Sequence, residues 1–187
     1  MRFPFFAMTS LVCLVSLLGS VSARASDART SASASGGGRR PGTATATAGY
    51  EGEVGFARTQ TRSGPLTASR AVAVGVDEDG LSLSVSTAMA TPVGPAFATN
   101  FNLSIGRDGD VAHSVGHVIS TGGLTRSATA GGAASAGPSR GVSARPSPAI
   151  ASSRASGTTT FGGVVRASTR SYQEPRVVVV RPIRWRP

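Results

Sequence analysis

The sequence contains no lysine; all 19 of its basic residues are arginine. That absence excludes a phosphate-binding loop ending in Gly-Lys, a Schiff-base lysine and a general-base lysine. Cysteine is almost as scarce. The single Cys13 lies inside an N-terminal apolar run, and its place within the run, with Leu14 to Leu18 continuing it, does not suit a lipidation site. If that run is removed, the rest of the chain has no disulfide framework, no cysteine metal ligand and no thiol nucleophile. No second apolar stretch is long enough to span a bilayer.

The N-terminal run is the clearest positive feature. Arg2 supplies a basic start, Phe3 to Leu18 an apolar core, and Gly19-Ser20-Val21-Ser22-Ala23 a small-residue exit. Residues 1–23 therefore read as a secretory signal peptide cleaved after Ala23, with Ala25 marking a second site. The apolar stretch is shorter than the roughly 20 residues of a membrane-spanning helix, which argues against an uncleaved anchor. Export without disulfides fits a bacterial route. The abundance of Ala, Gly, Arg, Pro and Val suits a GC-rich genome, so the expected address is the periplasm, envelope or exterior of such a bacterium.

From Arg24 to Gly49 there is no Val, Leu, Ile, Met, Phe, Tyr or Trp. Such a stretch buries too little apolar area to offset about 1–2 kcal/mol of backbone entropy per residue, so residues 24–49 are expected to form a disordered Ser/Ala/Thr/Gly spacer. The same reasoning makes 125–163 a disordered linker, with Val142, Ile150 and Phe161 as its bulky apolar side chains.

Between residues 50 and 124 the pattern changes. Val72, Val74 and Val76 alternate with Ala73 and Gly75; Leu81, Leu83 and Val85 alternate with serines; Phe101, Leu103 and Ile105 alternate with Asn102 and Ser104. A period of two is strand periodicity. Asp77-Glu78-Asp79-Gly80 and Gly106-Arg107-Asp108-Gly109-Asp110 are turn sequences, Thr91-Pro92-Val93-Gly94-Pro95 is a corner, and Gly55 to Thr61 reads as a further strand. The expected fold is mainly β: a small antiparallel meander or sandwich of about five strands at residues 50–122, flanked by disordered low-complexity arms. In it the paired strands hide their alternating bulky side chains. The competing reading is a chain that is disordered or silk-like throughout.

The formal net charge is +10, and ten of the eleven charged residues after Asp110 are arginines. They are densest in the C-terminal tail, residues 164–187, where Val177 to Val180 read as an edge strand. There Arg176, Arg181, Arg184 and Arg186, with Trp185 for interfacial burial, are the candidate contacts to a polyanion or an anionic envelope surface.

Candidate chemistry is thin. Ala112-His113-Ser114-Val115-Gly116 resembles a strand-to-helix nucleophile turn, but no helical pattern follows it, and His117 is too near Ser114 to return as a base. On a strand His113 and His117 stand about 13 Å apart, too far to share zinc. Asp77, Glu78 and Asp79 lack the alternating ligands of a calcium loop. Asn102-Leu103-Ser104 is a glycosylation sequon on paper. The sequence therefore predicts no enzyme, no cofactor and no metal. It predicts a non-enzymatic exported protein with a structural or interaction role at the cell surface or in a matrix, with self-association among its contacts. The alternative is a cationic factor binding a polyanion or anionic membrane through its tail.

Overall fold

A computed structural model describes residues 26–37, 42–137 and 149–174. The described chain forms ten antiparallel strands in two sheets, with no helix. They are β1 (Ser26–Gly37), β2 (Ala44–Glu51), β3 (Val54–Arg62), β4 (Thr67–Asp77), β5 (Gly80–Ala90), β6 (Ala96–Gly106), β7 (Val111–Thr121), β8 (Thr125–Ala136), β9 (Ile150–Thr159) and β10 (Val164–Gln173). One sheet has the order β2-β1-β8-β9 and the other β10-β7-β6-β5-β4-β3.

The β3 to β7 meander arises where the alternating pattern places it. Asp77 closes the β4–β5 hairpin by accepting hydrogen bonds from the backbone N–H groups of Asp79 (2.9 Å) and Gly80 (3.1 Å) at its Oδ1. The class is the expected antiparallel sandwich, but its extent is greater. Two stretches read as loose spacer and linker instead supply nearly all of the four-stranded sheet: β1 and all of β2 but Tyr50 and Glu51 come from residues 24–49, β8 and β9 from 125–163. In Ser31-Ala32-Ser33-Ala34-Ser35 the alanines point inward and the serines outward, so the strand period is present with alanine as its apolar member. Burial of large side chains was the wrong test for these segments. Each gains a full ladder of backbone hydrogen bonds on both sides of β1 and β8. Residues 1–23, read as a signal peptide, and the valine segment 177–180 lie outside the described residues.

The second difference concerns which face of the meander is inside. The bulky residues were expected to be hidden, yet the buried face of the six-stranded sheet carries Ser82, Ser84, Ser86, Asn100, Asn102, Ser104 and Ser114, with Ala71, Ala73, Ala88, Ala96 and Ala98. The largest fully buried side chains are Val118, Asn100 and Asn102. Towards the β5–β6 corner the interior is an alanine cluster around Val118; towards the β4–β5 turn it is a hydrogen-bonded array. Asn102 Nδ2 donates to Ser152 O (2.9 Å) and Ser153 Oγ (3.0 Å) of the facing sheet, Asn100 Nδ2 donates to Gly131 O (2.7 Å), and Ser104 Oγ donates to Ser135 O (2.6 Å). The physical reason is complementarity. The facing sheet offers mainly Ala, Ser, Thr and Gly, with Arg126 and Tyr50 only towards its ends, a shallow surface that mates flush with another shallow surface, whereas Leu and Phe would hold the sheets apart around voids.

Burial raises the pKa of Asp77 above its ordinary 3.8, against the lowering effect of its two backbone hydrogen bonds. A raised carboxyl pKa means that the folded state holds the proton more tightly than the unfolded state. The contribution of Asp77 to stability is therefore complete below 3.8 and is lost as pH rises through the native pKa. Asp77→Asn retains an acceptor for both backbone donors. It should equal or exceed the parent at neutral pH by under about 1 kcal/mol, the gain vanishing in acid. Urea midpoints measured across the pH range check this, and a variant weaker than the parent at neutral pH contradicts it.

Candidate functional site

Inward-facing small residues leave the large ones outside. On the outer face of the six-stranded sheet the register aligns Val54, Val76, Leu81, Ile105 and Val111 in one row, and Phe56, Val74, Leu83, Leu103, His113 and Tyr172 in the next. A third row sets Val72, Val85, Phe101 and Val115 between Arg58 on β3 and Arg170 on β10. Then comes a polar row containing Gln60, Arg70, Thr87, Thr99 and His117, and last an apolar row of Ala68, Met89, Phe97 and Ile119 between Arg62 and Arg166. Phe56 is 53% exposed and Met89 46%. Monomeric soluble proteins seldom show a continuous apolar area of this kind. Near its polar row the face holds an open hollow of about 610 Å³ bordered by Arg62, Arg70, Met89 and Phe97.

The opposite outer face has another chemistry. Ser33 is aligned with Thr45 and Thr129, and Thr129 with Ser156; Thr129 Oγ1 donates to Ser33 Oγ at 3.1 Å, and the hydroxyls of Ser127 and Thr158 are 2.7 Å apart. Hydroxyls cover this side and large apolar groups the other.

The two ends differ as sharply. All nine carboxylates of the chain lie at one end: Asp27 at the start of β1, Glu51 and Glu53 around the β2–β3 corner, Asp77, Glu78 and Asp79 in the β4–β5 turn, Asp108 and Asp110 in the β6–β7 turn, and Glu174 after β10. Arg29 is paired with Asp27 there, and its pKa is raised by that hydrogen bond and charge. The far end has no carboxylate and exposes apolar side chains from its connections: Val93 (90% exposed), Phe161 (84%), Leu124 (60%) and Leu66. Arg126, buried beneath these loops, donates from Nη2 to Pro92 O (2.7 Å) and from Nη1 to Gly123 O (3.4 Å), tying the β5–β6 and β7–β8 connections together.

The residues singled out for chemistry are placed as follows. Ser114 is fully buried on strand β7, within hydrogen-bond distance of Ser153 Oγ (2.8 Å) and Asn102 Nδ2 (3.1 Å), and does not stand on an exposed turn. His113 and His117 are both on the outer face of β7, and His113 stacks on Tyr172 with ring centroids 4.9 Å apart. Among the described residues no three His, Cys, Asp or Glu side chains are grouped to hold a metal ion. Asn102 of the sequon is fully buried in the folded chain. The tail contacts Arg176, Arg181, Arg184, Trp185 and Arg186 lie outside the described residues. Sequence reasoning missed Val93, Leu124 and Phe161, whose only signal is a lone bulky apolar residue within a Gly-, Pro- or Thr-rich connection. Comparison with protein-family models, with curated proteins and with solved structures finds no match to this chain.

Proposed function

We propose that this is an exported, non-enzymatic protein with a structural role at a cell surface or in a matrix, and that it associates with a second copy of itself through the outer face of its six-stranded sheet. The observation that carries this is the inversion of the meander. The fold places Ser and Asn inside and leaves its Leu, Val, Ile and Phe rows outside and part-exposed, so further burial worth about 0.5–1 kcal/mol per large side chain is still available to association. Size supports a second copy. Six strands at about 4.8 Å and eleven residues at about 3.3 Å give a face of roughly 1,000 Å², against about 800 Å² per partner in a stable interface. Four of the face's arginines sit on its edge strands, where a face-to-face pair leaves them in water. Residues 1–23 support export.

Sedimentation velocity tests this. The parent is expected to associate in low and high salt alike. Leu83→Glu with Leu103→Glu should weaken association by at least about 100-fold with the β-sheet circular dichroism intact, because carboxylates at the centre of the face would be buried without partners. A monomeric parent, or a variant that associates equally well, refutes it.

Charge partition favours a second reading. The described residues hold nine arginines and nine carboxylates, so the whole excess of +10 falls on ten arginines outside them, four of these at 176–186. That supports a polyanion or an anionic envelope surface as a partner of the tail. Such contacts would be lost as salt rises, whereas contacts of the apolar face would persist.

A further inference from the structure

We infer that the carboxylate-free end of the sandwich is a docking tip for an anionic lipid bilayer, with Val93, Leu124 and Phe161 entering the interface and Arg62 and Arg166 meeting lipid phosphates. The site shares Arg62 and Arg166 with the last row of the sheet face, but its apolar side chains belong to the connections and not to that face. Three observations converge on it. First, the carboxylates are segregated: all nine lie at the opposite end, where Arg29 and Arg107 offset only two of them, so an anionic surface attracts this end, repels the other, and orients the molecule before contact. Second, the connections at this end project their apolar side chains outward, Val93 and Phe161 being almost wholly in solvent, although small polar residues would serve these turns as well.

Third, Phe161 is the one non-glycine among the described residues with a positive φ (59°), and Gly162 follows it at 85°. A bulky side chain seldom adopts that conformation, and Asn or Gly would hold the turn with less strain. A phenylalanine there gains nothing for the fold, since its ring is in water; it does gain for a ring that must reach an apolar phase. The arrangement is also prepared in advance. Arg126 ties the connections bearing Val93 and Leu124, and Gly94 N–H donates to Thr91 Oγ1 at 2.8 Å. Exposed arginines beside protruding apolar side chains are the combination that holds a peripheral protein on anionic lipid, each part being weak alone.

The full chain would be sedimented with vesicles of phosphatidylglycerol and phosphatidylcholine in equal parts, and with vesicles of phosphatidylcholine alone. The parent is expected to bind the anionic vesicles more tightly. Val93→Ser with Phe161→Ser should lower that affinity about tenfold, with an unchanged urea midpoint. Arg62→Ser with Arg166→Ser should lower it several-fold and flatten its salt dependence. The Leu83→Glu, Leu103→Glu variant should bind anionic vesicles as the parent does. The inference is overturned if the Val93, Phe161 variant retains parental affinity, which would assign binding to the tail or leader. It is overturned equally if the sheet-face variant alone loses binding, if both vesicle types bind alike, or if neither binds.

Discussion

Replacing Gly132 by valine is expected to prevent folding, and replacing it by alanine to cost about 3–5 kcal/mol, a large part of a domain's ordinary stability. Gly132 sits on β8 where the two sheets meet. A Cβ there would stand 2.2 Å from Asn102 Nδ2, 2.3 Å from Ser152 O and 2.8 Å from Asn100 Nδ2. None of these can retreat cheaply. Ser152 O belongs to the neighbouring strand, and the two amides carry the hydrogen bonds that join the sheets. Displacing Asn102 would also strip partners from Ser84, Ser114 and Ser153, in an interior where few alternatives exist. Gly49 on β2 is the control: a Cβ there meets nothing within 4 Å, so Gly49→Ala should be neutral or slightly stabilising. Urea unfolding followed by far-ultraviolet circular dichroism measures both. Equal midpoints for Gly132→Ala and Gly49→Ala would mean that the sheets do not approach as closely as described.

Adjacent residues on β5 should respond in the reverse of the usual order. Ser84→Leu, which adds an apolar side chain, is expected to cost more than about 3 kcal/mol; Leu83→Ser, which removes one, about 1 kcal/mol. Ser84 is fully buried, donates to Asn102 Oδ1 at 2.5 Å and lies 2.7 Å from Thr30 Oγ1, so leucine would wedge the sheets apart and leave both partners unsatisfied. Leu83 faces outward between Val74 and Leu103 and is only half-buried. If the bulky face were the interior, Leu83→Ser would carry the cavity cost of about 2–5 kcal/mol and Ser84→Leu would be mild. The two midpoints therefore decide which face is inside, and self-association measured on Leu83→Ser reports whether the other face is used.

The contrast shows where reading the residues succeeds. Strands β4 to β7 and their turns are legible because large β-branched and aromatic residues alternate with small ones and acidic glycine turns separate the runs. β1 and β8 were missed because alanine and serine differ too little in hydropathy to mark an amphipathic strand, although they alternate over Ser31 to Ser35 and, with threonine, over Ser127 to Ala130. The docking tip was missed for a different reason. Val93, Leu124 and Phe161 are far apart in the chain, and only the pairing of their strands brings them to one end.

By itself the sequence determined which residue types the chain lacks, the period-two segments of β4 to β7, and which residues of those strands share a face. Period alone cannot assign a face to the inside, since that depends on what the other sheet presents. Here the inner face of the partner sheet is mostly Ala, Ser, Thr and Gly, and it closes on the small face of the meander because flush contact and cross-sheet hydrogen bonds need small groups on both sides. Tertiary structure alone decided that the bulky rows face outward, and that the carboxylates gather at one end while apolar side chains project at the other.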